Sequence, residues 1–236
     1  MKRPRRLYRE ATVDRLAVDR WQIRLDQKPA KTPAGNPLCL PNAKFAEAVA
    51  EEWRSQSEEL RPETMRLTRL ANTAIDRIAP DRQNAVTEII RFAGSDLLCY
   101  RASGPELLVA RQSAIWDPLL DWAGERYGIT LRTVCSISPI QQSAEDLATL
   151  QSFLLRFDVF SLAGIVSAAN ILGSAVLALA LQEKQIDPAE AFSAGELDGI
   201  YQAELWGADP EYIARNRRKV EDIELVSKFM LLAAAV

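Results

Sequence analysis

The chain has 236 residues, 48% hydrophobic and 26% charged, with a formal net charge of −3 and a pI near 5.3. That is the composition of a globular protein able to bury a sizeable core, with no global pull toward nucleic acid. It contains no histidine, which removes Ser-His-Asp and Cys-His nucleophile activation, imidazole-bearing zinc sites and the 2-His-1-carboxylate iron centre.

Carboxylate and lysine chemistry stay open. Cys39, Cys99 and Cys135 are odd in number and lack CxxC spacing, so they read as free thiols of a reducing compartment. Lys2, Arg3, Arg5 and Arg6 cluster at the start. They read as a solvated terminus, because neither an apolar h-region nor a long Arg/Ser-rich amphipathic stretch follows.

In chain order, Trp21, Ile23 and Leu25 alternate with Gln22, Arg24 and Asp26, the period of a strand. Breaks at Lys28-Pro29 and Thr32-Pro33-Ala34-Gly35-Asn36-Pro37 follow, and Leu38 and Leu40 then alternate about Cys39. Together they predict a small antiparallel β unit of hairpins over residues 7–41. After Pro41 the period changes. Asn42 is an N-cap for a helix whose apolar face carries Phe45, Val49 and Trp53. A second helix is predicted from Glu63 to Ile78, and Asp81 caps a third that carries Val86, Ile89, Ile90 and Phe92.

Asp96-Leu97-Leu98-Cys99-Tyr100-Arg101 is a short apolar run before a Ser103-Gly104-Pro105 break. A long helix is expected from Pro105 to Tyr127, stopped by Gly128, with a kink or a restart at Asp117 because Pro118 lies inside it. Residues 129–134 could form a short strand. From Val159 to Gln182 there are 24 uncharged residues, long enough to cross a bilayer. Ser161, Ser167, Asn170 and Ser174 interrupt that run and many of its apolar residues are alanine, so it reads as one central helix buried on most sides. Ser143 with Asp146, Asp187-Pro188-Ala189-Glu190 and Asp209-Pro210-Glu211 mark further helix starts. The fold class expected is α+β, a small N-terminal antiparallel β domain packed on a larger mainly helical domain. The boundaries are 1–60 for the β-rich part with its first helix and 61–236 for the helical part.

Phosphate-cradling loops, zincin, nucleophile-elbow and EF-hand patterns are all missing. Asp117, Asp121 and Glu125 form an i, i+4 row that could hold a divalent cation, or could be a solvated stripe pairing with Arg111 and Arg126. Trp53, Trp116, Trp122 and Trp206 each sit beside charge. Such residues anchor protein interfaces, and equally they pack cores with their N–H groups satisfied.

Six blocks carry a wider resemblance. They are residues 31–38 (Lys-Thr-Pro-Ala-Gly-Asn-Pro-Leu), Ala50-Glu51-Glu52-Trp53, the run from Met65 to Asp76, the run from Asp96 to Arg101, Trp116 to Ala123, and Tyr201 to Gly207. In this order and over nearly the whole chain, they resemble the F1-ATPase assembly chaperones that hold the free α subunit of ATP synthase in mitochondria and related bacteria. The resemblance implies a cofactor-free, non-catalytic monomer that binds the α subunit, shields its intersubunit surface and leaves when β arrives. It implies no nucleic acid partner and no membrane insertion. Carried over by position, it points to Trp53 and to an acidic residue that falls best on Asp198, with Glu204 next; Trp206 and Trp116 join them as expected partner contacts on their own chemistry, as tryptophans beside charge. The resemblance leaves two compartments, and because the short N-terminus reads without a transit peptide the expectation is a bacterial cytoplasm, or the mitochondrial matrix for a mature eukaryotic form.

Overall fold

In the computed structural model, which describes residues 4–136 and 138–234, the chain begins with a small antiparallel sheet. Strands β1 (Ala11–Ala17) and β2 (Arg20–Leu25) pair in register from Ala11 opposite Leu25 to Asp14 opposite Gln22, and an irregularity falls between Arg15 and Ala17. Two short strands, β3 (Lys28–Pro29) and β4 (Cys39–Leu40), both pair with β2. The strand is where the sequence placed it, but the alternation does not divide it into a buried and a solvent face: Ile23 and Gln22 are both buried, and Trp21, Arg24 and Leu25 are half-buried.

Ten helices follow among the described residues: α1 (Ala43–Arg54), α2 (Arg66–Thr73), α3 (Arg82–Gly94), α4 (Glu106–Tyr127), α5 (Ala144–Leu154), α6 (Val159–Leu172), α7 (Ala175–Gln182), α8 (Pro188–Gly195), α9 (Leu197–Trp206) and α10 (Pro210–Ala233). Lys2 and Arg3 of the basic cluster lie outside the described residues.

Two compact units partition the described chain. The first comprises 4–82, Val159–Ala163 and 228–234; the second comprises Gln83–Asp158 and Gly164–Ser227. In the first, Phe45 of α1 meets Phe160 and Phe229 edge-on, at ring distances of 5.7 and 5.1 Å. Such T-shaped pairs add about 0.5–1.5 kcal/mol beyond area burial. Asn42 caps α1 by accepting from the Phe45 N–H at 2.8 Å, and its amide donates to the Leu232 carbonyl at 2.7 Å.

Two acidic side chains fasten this unit. The Glu52 carboxylate accepts from Leu67 N, Thr68 N and the Thr68 hydroxyl at 2.7–2.8 Å, so a residue of α1 caps α2. Asp76 lies in a five-residue π turn, Ala74–Ile78, that continues α2. Its carboxylate accepts from the Thr32 hydroxyl, Ala34 N and the Asn36 amide at 2.6, 3.0 and 2.9 Å. The proline-rich turn is therefore wrapped around that carboxylate. These contacts hold the Asp76 carboxyl below the usual carboxylate range against the opposing effect of burial.

The second unit is built on α7, whose residues Ala175 to Leu181 are all buried. Burial of each leucine among them contributes roughly 1.5–3 kcal/mol. Its N-terminus is capped twice. The Ser174 hydroxyl accepts from Leu177 N at 3.0 Å, and Asp96, from 80 residues earlier, accepts from Val176 N at 3.1 Å. Asp96 also accepts from Leu98 N at 3.1 Å, and burial pushes its carboxyl up to about 6 although these donors pull the other way.

Three expectations need correction. The apolar run 159–182 is not one helix. Gly173, at φ +71, ends α6, and Ser174 starts α7. No helix among the described residues is long and apolar enough to cross a membrane. Pro118 causes no restart, because α4 runs unbroken through it with Trp116 and Leu119 both buried. Residues 129–134 form no strand; what remains is a single parallel bridge between Tyr100 and Val134. The start signals at Ser143, Asp187 and Asp209, by contrast, cap helices. Ser143 accepts from Asp146 N at 3.3 Å, Asp187 and Glu190 form a reciprocal capping box, and Asp209 accepts from Tyr212 N at 2.7 Å.

Candidate partner-binding face

Three helices of the second unit put apolar side chains in water. Leu107 and Ile115 of α4 are exposed, as are Leu205 and Trp206 at the end of α9 and Ile213 in the first turn of α10. Trp206 is 78% exposed, so its indole finds no cover within this chain. Leu107, Arg111 and Ile115 recur at i, i+4 and i+8, which sets them on one stripe of α4. The neighbouring stripe, about 100° round the helix and carrying Leu108, Gln112, Trp116, Leu119 and Ala123, is buried.

Two polar rungs hold α9 against α4. The Arg111 guanidinium donates to Glu204 at 2.6 Å and lies over the Tyr201 ring at 5.4 Å. One residue along, the buried Gln112 amide donates to Asp198 Oδ1 at 2.8 Å, while its own Oε1 accepts from Ala102 N at 2.9 Å. Asp198 is half-buried, whereas Glu204, though paired with Arg111, is exposed next to the exposed Leu205 and Trp206.

The expected site residues therefore separate. Asp198, Glu204 and Trp206 come together on α9. Trp116 is 1% exposed and donates its indole N–H to the Ala194 carbonyl at 2.9 Å, with Arg101 over its ring at 5.3 Å. That placement is in the core and gives a partner nothing to touch. Trp53 belongs to the first unit, half-buried against Tyr8 in an edge-on pair at 5.8 Å, and its carbonyl accepts from the Tyr8 hydroxyl at 2.7 Å. Arg111, Leu205 and Ile213 were not legible as site residues in the sequence. The one signal available was the apolar–basic–apolar spacing of Leu107, Arg111 and Ile115, and it was obscured by the acidic row on the same helix.

That acidic row does not assemble into a centre. Asp117 is held at 2.7 Å by Arg101, Arg111 pairs with Glu204, and Arg126 pairs with Glu183 at 3.2 Å. No group of three or more histidine, cysteine or acidic side chains among the described residues is placed to hold a metal ion.

A largely helical unit that leaves tryptophan, leucine and isoleucine in solvent around an ion pair has the surface of a protein that binds another protein. Residues 5–124 match the family model described as ATP12 chaperone protein, and the chain belongs to that family. It is similar along its length to solved structures. One is Atp12 from Paracoccus denitrificans, at 34% identity, with 97% of this chain and 98% of that one covered and a TM-score of 0.90. A point mutant of the Paracoccus denitrificans Atp12p matches at 33% identity, 97% coverage of both chains and a TM-score of 0.91. A protein from Agrobacterium tumefaciens matches at 38% identity, 98% and 87% coverage and a TM-score of 0.89. The small N-terminal sheet followed by a mainly helical body is the fold of the Atp12 structures.

Proposed function

We propose that this chaperone binds the unassembled α subunit of F1-ATPase as a 1:1 complex and hands it to β. The observation that carries the proposal is the exposed apolar face on α4, α9 and α10 in a member of this family. An α subunit outside its hexamer has a large uncovered interface, and such surfaces self-associate. A cover for it needs a few large anchors and a polar rim, so that a more extensive α–β contact can displace it.

On this reading Trp206 and Leu205 are anchors, Glu204 is a rim charge, and Asp198 keeps α9 in place for both. Trp53 and Trp116 serve the folded chain instead. The test is co-expression with the α subunit of the same organism, followed by size-exclusion chromatography. A 1:1 complex that dissolves when β is added supports the proposal. Insoluble α with no co-eluting complex refutes it. Trp206→Ser should cost the complex at least tenfold in affinity without changing the melting temperature, because a side chain already in water contributes little to the fold.

A further inference from the structure

Arg111 stands between the two apolar parts of the exposed face, all within the second unit. Along α4 it lies one turn from Leu107 on one side and one turn from Ile115 on the other, roughly 6 Å of helix rise each way. Away from α4, its Nη1 holds Glu204 at 2.6 Å, and the exposed Leu205 and Trp206 follow Glu204 in the chain. Glu204 also lines one shallow depression with Ile213 of α10. The ion pair is therefore the seam of the face. A surface that covers Leu107 and Ile115 together with Leu205 and Ile213 passes over the pair as well.

In the free chain the Arg111 side chain is 37% exposed and that of Glu204 is 50% exposed. One side of the guanidinium lies over the Tyr201 ring, 5.4 Å from its centroid, and Nη1 has Glu204. Among the described residues Nε and Nη2 have no acceptor. Solvent reaches them on this half-exposed side chain, so nothing is lost until a partner docks. Beneath a docked protein that solvent is displaced, and a donor left unpaired there carries the desolvation cost of its group, greater for a charged group than for a neutral one.

Charge decides which acceptor relieves that cost. The Glu204 carboxylate already balances the guanidinium, so the pair takes no net charge into the interface. A second carboxylate brought to Arg111 would stand beside Glu204, and like charges juxtaposed in an interface oppose binding. A carbonyl oxygen meets the same N–H groups without that repulsion. We propose that Arg111 is a direct contact residue of the complex, its Nε and Nη2 donating to carbonyl oxygens that the α subunit places opposite the ion pair. The assignment rests on the partner-binding face proposed above, and adds to it a contact residue and the chemistry that a partner must bring. A surface of the right apolar outline with no acceptor at that point leaves the guanidinium unpaired, so Arg111 discriminates against it.

The experiment measures affinity for purified α subunit by biolayer interferometry, alongside melting temperatures, for wild type, Arg111→Lys, Glu204→Gln and Trp206→Ser. Arg111→Lys separates holding Glu204 from touching the partner. A lysine keeps the charge as a point and can pair with a carboxylate, yet it lacks the planar fork of donors. Its melting temperature should stay within about two degrees of wild type, as for other surface substitutions. Its affinity should fall at least tenfold, the loss expected of an arginine that anchors an interface. Glu204→Gln keeps an oxygen for Nη1 and removes the balancing charge, so affinity should fall at least threefold. Wild-type affinity in Arg111→Lys, with weakened binding in Trp206→Ser, would overturn the contact while leaving the face in place, since Arg111 would then do no more than hold Glu204. Binding by Glu204→Gln at or above the wild-type affinity would overturn the carbonyl, because the partner would then supply the carboxylate. Should Arg111→Lys fail to fold, Glu204→Gln decides alone, since that side chain is already half in solvent. Undiminished binding in all three variants, or no complex with wild type, would sink the face and the contact together.

Discussion

Removing the Asp198 carboxylate distinguishes a positioning role from direct contact. In Asp198→Ala the Gln112 amide, on a residue only 1% exposed, loses its acceptor at 2.8 Å. A buried donor left without a partner costs about 1–3 kcal/mol. For a chain of this size about 2 kcal/mol lowers Tm by about 4–8 °C. Asp198→Asn keeps an oxygen at the same place and should be neutral within about 0.5 kcal/mol. Thermal melts followed by circular dichroism read the stability, and size-exclusion chromatography with the α subunit reads the function. Asp198→Asn should retain the complex, and Asp198→Ala should weaken it in step with its lost stability. Loss of binding by Asp198→Asn at unchanged Tm would refute the reasoning, since the partner would then be reading the negative charge itself.

Glu52→Ala removes three hydrogen bonds from the start of α2 and should cost about 2–3 kcal/mol, seen as a drop of about 4–12 °C in Tm. Asp96 gives a pH signature. Its carboxyl is pushed up from 3.8 to about 6 in the folded chain, so the folded state holds the proton more tightly than the unfolded one. Its contribution is therefore fully present below pH 4 and is lost as pH rises through 6, by up to about 3 kcal/mol. Urea unfolding of wild type relative to Asp96→Asn should show that loss between pH 4 and 7; a flat difference would contradict it. Among the thiols, exposed Cys135 should react with iodoacetamide first. Buried Cys99, pushed up to about 12 by burial and the nearby Asp96 charge, should react only after unfolding, as mass spectrometry of the labelled peptides would show.

What could be read from the sequence was local. Asn42, Ser143, Asp187 and Asp209 each satisfy a donor three residues ahead, so their chemistry lies within four positions of the chain. The break between α6 and α7 was equally local, a glycine followed by a capping serine, but the unbroken hydrophobicity around it concealed it. Pro118 shows the reverse error. A local rule predicted a kink or a restart, and α4 continues through Pro118 without a restart, with Trp116 and Leu119 both buried. The fastenings that define the site were beyond such rules. Asp96 reaches Val176 across 80 residues and Gln112 reaches Asp198 across 86. The six blocks marking the family are in part the two ends of such fastenings, since the proline-rich turn and the run ending at Asp76 meet at one carboxylate.

The aromatic pair of Phe45 with Phe229, and the bond from Asn42 to Leu232, have a consequence for biosynthesis. A chain leaves the ribosome from its N-terminus, yet the unit containing the first strands is closed by residues near 230. During translation the sheet and α1 must wait with Phe45 uncovered, while the second unit emerges between the two halves of the first. A prematurely terminated product lacking α10 would thus be defective at its N-terminal end as well. The nascent chaperone carries, until α10 is made, the same kind of bare apolar surface that it is proposed to cover on its client.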